Sequence, residues 1–278
     1  MPRQSMPLPP TNRSRANVLG VGIDALNMQM AVSAIDAALS SGQKGYVCVT
    51  GVHGVMETQR DAGLKAILNN SFLTTPDGMP TVWVGRWQGF SGMDRVYGPD
   101  LMLEICRLSL ARGYTHFLYG GKPGVGEQLE RELQRGLPGI RILGTYCPPF
   151  RKLNGAEEHE LIQLVADLKP DLFWVGLSTP KQERFMAEFI HKLDTRLMLG
   201  VGAAFDIHSG LLRDSPAWVK QAGLQWLHRL AQEPARLWKR YLINNPEFLV
   251  KICLQLTGLR TYNLPTATAG SRSVSRAA

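Results

Sequence analysis

The stretch that decides the fold is Asp171-Leu-Phe-Trp-Val175, followed by Gly176-Leu-Ser-Thr-Pro180, a helical run from Lys181 to Leu193, and then Leu197-Met-Leu-Gly-Val201. Two short apolar runs flanking a helix read as strand, helix, strand. That unit closes right-handed, with its strands parallel in one sheet. The same alternation extends outward in both directions. Val18 to Ile23, Tyr46 to Thr50, Phe72 to Thr75, His116 to Tyr119 and Ile140 to Leu143 are strand-like. Met28–Leu39, Val55–Leu68, Val125–Leu133 and Ala156–Leu168 carry helical apolar spacing. The predicted fold class is therefore α/β: a Rossmann-like parallel sheet with helices on both faces, plus a C-terminal helical appendage. In such sheets ligands sit beyond the carboxyl ends of the strands, so the loops after Thr50, Thr75, Tyr119, Val175 and Val201 are the ones to read for chemistry.

After Leu212 the pattern changes. Ser215-Pro216 opens a helix, Leu224, Leu227 and Leu230 repeat at helical spacing, and Pro234 starts or breaks another helix. Asn245-Pro246 punctuates again before Phe248, Leu249, Ile252, Cys253 and Leu256. The expected organisation is a flexible tail over 1–17, a core over 18–212, a helical appendage over 213–258 and a second flexible tail over 259–278. The 278-residue chain carries a net charge of +8, and the excess is concentrated at the ends: +3 within residues 1–20 and +7 from Arg213 onward. The middle is slightly acidic. Such basic ends suit nucleic acid, anionic lipid or a phosphorylated substrate.

Several classes drop out. No apolar run is long enough for a bilayer span, and the polar, Pro-rich N-terminus has no apolar segment of a secretory signal. Cys48, Cys106, Cys147 and Cys253 form no CxxC pair, which fits reduced thiols rather than a disulfide scaffold. The six histidines show no HxH or HExxH spacing, so no metal site and no metal cofactor are expected, and no GxSxG elbow suggests a serine triad.

Three glycine-rich turns remain: Gly20-Val-Gly22, Gly120-Gly-Lys-Pro-Gly124 and Gly200-Val-Gly202. None matches the dinucleotide or P-loop fingerprint. Each reads either as a structural turn or as a close approach to phosphate, with the Gly120, Gly121, Lys122 and Gly124 loop the best nucleotide contact. Asp77, before Gly78, is either a turn residue or a general base at a strand end. Arg95 is either a surface ion pair or a ligand for an anion. In Ser178-Thr-Pro-Lys-Gln-Glu183 a helix cap needs the Ser or Thr but has no use for Gln182.

Taken in order, Thr75-Pro-Asp-Gly78, Arg95-Val-Tyr-Gly-Pro-Asp-Leu101, Leu118-Tyr-Gly-Gly-Lys-Pro-Gly124, Pro170 to Glu183, Gly200-Val-Gly-Ala-Ala-Phe-Asp206, Ser215-Pro216 and Leu224-Gln-Trp-Leu-His-Arg-Leu230 with Glu233-Pro234 resemble the WecG/TagA/CpsF family of bacterial glycosyltransferases (glycosyltransferase family 26). The resemblance covers about residues 18–245. It implies inverting, metal-independent transfer from a UDP-sugar donor to a lipid-linked (polyprenyl-diphosphate) saccharide acceptor in cell-surface or exopolysaccharide synthesis. By the same resemblance Asp77 is the catalytic base, Thr50, Arg95 and Gln182 are active-site residues, and Arg229 and Arg236 come from an appendage that closes over the site and meets the membrane. A third appendage arginine corresponds to Lys239 here, with Arg240 beside it. Gly176, Lys181, Gly202 and Asp206 join the glycine loop, Lys239 and Arg240 as expected substrate contacts. Val52 stands where the family often has Asn. The expected location is cytoplasmic, peripheral at the inner face of the membrane, with an anionic lipid surface as partner and no nucleic acid; a homo-oligomer stays open. An NAD(P)-dependent Rossmann oxidoreductase and a non-catalytic nucleotide-binding regulator are the alternatives.

Overall fold

The computed structural model describes residues 13–265. In chain order it contains β1 (Arg15–Val18), β2 (Val21–Asp24), α1 (Met28–Ser40), β3 (Gly45–Thr50), α2 (Val52–Arg60), α3 (Ala62–Asn69), β4 (Leu73–Pro76), α4 (Met79–Trp87), α5 (Gly98–Arg112) and β5 (Thr115–Gly120). It continues through α6 (Val125–Gly136), β6 (Arg141–Tyr146), α7 (Gly155–Leu168), β7 (Leu172–Gly176), α8 (Lys181–Phe189), β8 (Leu197–Gly200), α9 (Ala204–His208), α10 (Ala217–Gln221), α11 (Gln225–Gln232) and α12 (Pro234–Leu256).

Six strands form one sheet in the order β4-β3-β8-β7-β5-β6, and every neighbouring pair is parallel. Side chains of a strand alternate between faces, and the two cores divide accordingly. Val47 and Val49 of β3 and Leu172 and Trp174 of β7 face a cluster with Ile35, Leu101, Ile105, Leu129 and Phe205. Tyr46, Cys48, Phe173 and Val175 face the other, with Val55, Met56, Met186 and Phe189. Burial on both sides explains why these strands read as unbroken apolar runs.

Several features differ from the sequence expectation. Val18 to Ile23 does not enter the large sheet; β1 and β2 pair antiparallel as a separate hairpin, turning at Leu19 and Gly20 with positive φ. β1 begins at Arg15, so residues 15–17 belong to a strand rather than to a tail. Arg13 and Arg15 are held by the buried Asp24 carboxylate and by the carbonyls of Ser71 and Asn69. The remainder of the expected tails falls largely outside the described residues. The helix expected over Val55–Leu68 is two, because Asp61 leaves the helical conformation (φ −142°, ψ 100°) and its side chain caps α3 through the Leu64 N–H at 3.0 Å. Pro246 does not end a helix; α12 runs through it.

The segment read as one appendage divides in two. α10, α11 and the first half of α12 lie over the carboxyl ends of the strands. The second half of α12 belongs to the body of the protein: Phe248 and Ile252 enter the second core. The buried Asn244 accepts from Arg60 Nη1 at 3.0 Å and donates to His53 Nδ1 at 3.1 Å. Gln255 likewise ties Leu19 and Asn17 of the hairpin to the helix.

Candidate active site

A crevice of about 80 Å³ opens beyond the ends of β3, β4, β7 and β8. Its floor is Val49, Gly200, Val201, Gly202 and Ala203, and its walls are Asp77, Tyr97, Gly98, Thr179 and Gln182. Arg229 of α11 and Arg236 and Arg240 of α12 roof it.

Asp77 follows β4 directly. Its backbone N–H donates to the Thr50 carbonyl at 3.1 Å, which continues the β3–β4 ladder by one rung. Its carboxylate accepts from the Gly98 N–H, a long contact of 3.4 Å at the start of α5. Burial raises the Asp77 pKa, while Arg95, the Gly98 N–H, Arg229 and Arg240 pull the other way. A carboxylate with raised proton affinity, next to cations, has the properties of a general base.

Two guanidinium groups of the roof are incomplete. Arg229 Nε and Arg240 Nε are buried and, among the described residues, have no hydrogen-bond partner. Burial lowers the pKa of Arg240, with Tyr241 opposing and Arg229 and Arg236 adding to the effect. Arg229 and Arg236 share Glu233, and Arg229 Nη2 lies 3.3 Å from its carboxylate. Unpaired buried guanidinium nitrogens are costly and point to an anion that completes them. Asp206 of α9, an expected substrate contact, lies outside the crevice lining but within charge reach of the roof. Burial raises its pKa, Lys122, Arg236 and Arg229 lower it, and Glu233 adds to the rise.

Gln182, in the first turn of α8, is buried against the crevice; its Nε2 donates to Glu183 Oε1 at 3.1 Å. Thr50 is buried and supplies its carbonyl rather than its hydroxyl to Asp77; its methyl group faces Gly54 of α2. Arg95 stands behind the wall. It donates to Gln225 Oε1 of α11 at 2.9 Å, pairs with Asp100 at 3.6 Å and stacks over the Tyr97 ring at 4.5 Å.

Several expected contacts lie outside the crevice lining. A Cβ on Gly120, which has φ +126°, would come within 2.7 Å of the Gly176 carbonyl oxygen, and one on Gly176 would come within 2.7 Å of the Phe205 ring. Both glycines are thus required by close packing between the ends of β5 and β7. Gly121 donates to the Gly176 carbonyl at 3.1 Å, and Gly124 caps α6. Lys122 reaches the site only through its charge on Asp206. Lys181 lies over the Phe150 ring at 4.0 Å, and Lys239 is exposed beside Trp238. Gly202 is in the lining, as expected, and so is Arg240.

Sequence reasoning missed three participants as site residues: Tyr97, His53 and Glu183. Tyr97 donates its hydroxyl to Asp214 at 3.1 Å and is flanked by Arg95 and Lys220, so it joins the crevice wall to the appendage. His53 of α2 is outside the crevice lining; burial lowers its pKa to about 3, with the Arg240 charge adding to the effect and a backbone hydrogen bond to Thr179 opposing it. His116 is buried in the core against Trp174, and burial lowers its pKa to about 4. A depressed histidine binds its proton in the unfolded chain first, so the folded state loses stability as pH falls from about 6.5 through these values. The expected result is steep acid unfolding between about pH 6 and 3, with His53→Gln shifting the transition midpoint to lower pH in chemical-denaturation series. An unshifted midpoint removes His53 from that account.

The fold and the crevice together define a Rossmann-like α/β protein whose strand-end site sets the buried Asp77 carboxyl group in one crevice with three arginines of the C-terminal helices. Residues 16–262 match the glycosyl transferase WecG/TagA/CpsF family, and the chain belongs to it. The chain is similar to an N-acetylglucosaminyldiphosphoundecaprenol N-acetyl-beta-D-mannosaminyltransferase of Bacillus spizizenii, 28% identical over 80% of this chain and 84% of that protein. A protein of the same description from Bacillus subtilis is 26% identical over 73% of this chain and 77% of its own length. Membership of a glycosyltransferase family displaces the oxidoreductase and regulator alternatives.

Proposed function

We propose that this glycosyltransferase moves a hexose or N-acetylhexosamine-type sugar from a UDP-sugar to a polyprenyl-diphosphate-linked saccharide, with inversion at the anomeric carbon. The observation that carries this reading is that Arg229 and Arg240, each with a buried guanidinium nitrogen unpartnered among the described residues, line the same crevice as Asp77. The relatives' acceptor, an N-acetylglucosaminyl-diphosphoundecaprenol, is of the proposed class. In the proposed step Asp77 accepts the proton of the acceptor hydroxyl as its oxygen attacks the anomeric carbon. The bond from that carbon to the UDP oxygen breaks, and the electron pair leaves with UDP. Arg229, Arg236 and Arg240 then hold the charge that develops on the departing diphosphate, the part a divalent cation plays in other transferases. Among the described residues no group of three His, Cys, Asp or Glu side chains is placed to hold a metal ion.

In this reading α11 and the start of α12, which carry the roof arginines, close over the bound nucleotide sugar for transfer. The test is a donor screen. Thermal melts with UDP, UDP-hexoses and NAD(P) should show stabilisation by uridine nucleotides alone. Incubation with a short-chain prenyl-diphosphate N-acetylglucosamine should then give a disaccharide product; no uridine-dependent shift and no transfer from any UDP-sugar would overturn the reading.

A membrane seat at the inner face of the cell membrane is part of the same proposal. No helix among the described residues is long and apolar enough to cross a bilayer. α11 buries none of its residues, and Trp218 (67% exposed), Leu227, Leu242 (61%) and Ile243 (57%) are left in solvent beside exposed Arg213 and Lys239. Trp83 of α4 abuts Gly223 and, with Trp87 one turn on (70% exposed), extends the same apolar surface. Apolar side chains interleaved with cations suit an anionic lipid surface, where each cation adds about 1 kcal/mol. Leu242→Ser with Ile243→Ser is expected to lower partitioning onto anionic liposomes by at least about tenfold, since loss of only about two buried methylenes at about 0.8 kcal/mol each suffices for that. Unchanged flotation would leave the appendage without this role.

A further inference from the structure

We propose that Glu183 is a positioning residue that fixes the Gln182 amide so that its oxygen, not its nitrogen, faces substrate, making this wall of the crevice a receptor for a substrate O–H or N–H donor. The inference rests on the reading of Gln182 as a substrate contact.

Glu183 lies in the first turn of α8 and is 1% exposed. One of its oxygens, Oε1, accepts two hydrogen bonds: from the Thr179 hydroxyl at 2.7 Å and from Gln182 Nε2 at 3.1 Å. A side-chain amide is asymmetric, with an acceptor on one arm and two donors on the other. Because the nitrogen arm is engaged by Glu183, the oxygen arm turns toward Gly202 at the crevice floor, 3.5 Å from where a Cβ on that glycine would lie. Gln182 is itself only 3% exposed, and its Oε1 has no partner among the described residues. Nε2 lies 3.1 Å from where a Cβ on Gly200 would be but is already engaged by Glu183, so the unsatisfied acceptor of this crevice-lining residue is the arm left for a ligand's donor to complete.

The opposite orientation would turn the NH2 group toward Gly202 at the crevice floor and leave Glu183 with one bond instead of two. In a crevice where Arg229, Arg236 and Arg240 already supply donors for phosphate, the Gln182 oxygen is the polar group suited to a hydroxyl or amide N–H of the transferred sugar or of the base. Recognition through a satisfied buried acceptor discriminates strongly against analogues lacking the donor. Burial raises the Glu183 pKa, with Thr179 and Gln182 hydrogen bonds opposing. The role requires an acceptor oxygen at Oε1 rather than a negative charge, and the carboxamide of Glu183→Gln keeps that oxygen.

The test is a set of kinetic comparisons on the full-length chain with UDP-N-acetylmannosamine and a short-chain prenyl-diphosphate N-acetylglucosamine, each variant checked by thermal melt. Gln182→Ala is expected to lower kcat/KM by about 10- to 100-fold, the range for one lost buried hydrogen bond to substrate. Glu183→Leu, similar in size but with no acceptor, should show a comparable loss, and Glu183→Gln should stay within about threefold of wild type. The double variant Gln182→Ala/Glu183→Leu should be no slower than Gln182→Ala alone, because a residue acting only through another adds nothing once that partner is gone. Glu183→Met replaces the leucine variant in every comparison if the latter does not fold. Losses that multiply in the double variant, a Glu183→Gln enzyme as slow as Glu183→Leu, or a Glu183→Leu enzyme of wild-type rate would each overturn the positioning role. A Gln182→Ala enzyme of wild-type rate would instead overturn the reading of Gln182 as a substrate contact, and this inference with it.

Discussion

Asp77→Asn is expected to lower the rate of sugar transfer by about 10²- to 10⁴-fold, the span attributed to a positioned general base, while the protein melts no lower than wild type at neutral pH. The two halves of this result come from one cause. Burial raises the pKa of Asp77 in the folded state, and the attraction of Arg95, Arg229 and Arg240 does not fully offset it. A carboxyl group whose folded pKa lies above its unfolded value contributes stability that is complete below the unfolded value, about 3.9. That contribution is lost as pH rises through the folded value. Asparagine never ionises, so it escapes the loss: the variant should match or exceed wild type in melting temperature at pH 7, and the difference should vanish toward pH 4. The same raised proton affinity is what an acceptor hydroxyl needs from its base. A group that lowers stability when ionised yet is essential for turnover belongs to chemistry rather than to scaffolding. Melting curves at the two pH values and initial rates on the same preparations decide it; turnover close to wild type removes Asp77 as the base.

How much of this was readable in the sequence differs from element to element, for physical reasons. The parallel strands are buried on both faces, so each appears as a short unbroken apolar run with a clear end, and the site-bearing loops could be located without a structure. β1 and β2 are hard to place because burial makes Val18–Ile23 apolar apart from its glycines, and the turn signals present, Gly20 and the Asn17 side chain that accepts from the Gly20 N–H at 2.9 Å, sit inside that run with Leu19 at a positive φ that sequence does not announce. α4 was not foreseen. Its outer face carries Trp83 and Trp87, so apolar residues occur on both sides and no periodic contrast marks it. Pro246 looked like a stop because it cannot donate to the Leu242 carbonyl. That turn of α12 lies at the surface, where water can take the freed acceptor. Glu183 stood in plain view within the quoted segment, but only the fold shows that its carboxyl turns inward to grip the neighbouring amide.

The remaining large effect separates two adjacent cations, Lys239 and Arg240, which linear counting cannot tell apart. Matching by position favours Lys239 as the third cation of the appendage. Helix geometry favours the other. Residues four apart lie nearly above one another, so Arg240 follows Arg236 on the face that looks into the crevice, while Lys239 is carried to the exposed flank beside Trp238. Arg240→Ala is therefore expected to reduce kcat by about 10²- to 10³-fold, the scale for removing one preorganised donor from a developing charge. Lys239→Ala should leave kcat within about twofold on a short-chain acceptor, as surface substitutions usually do. Arg240→Lys should fall between them, since an ammonium keeps the charge but not the planar fork that engages a diphosphate. A second signature accompanies the loss. Arg240 is one of the groups holding the Asp77 pKa down, so its removal should move the acid limb of the pH–rate profile to higher pH, which loss of diphosphate binding alone would not do. Folding should not suffer, because burial already works against the Arg240 charge. A Lys239→Ala enzyme as slow as Arg240→Ala, or an Arg240→Ala enzyme with wild-type kcat and an unmoved acid limb, would return the role to residue 239.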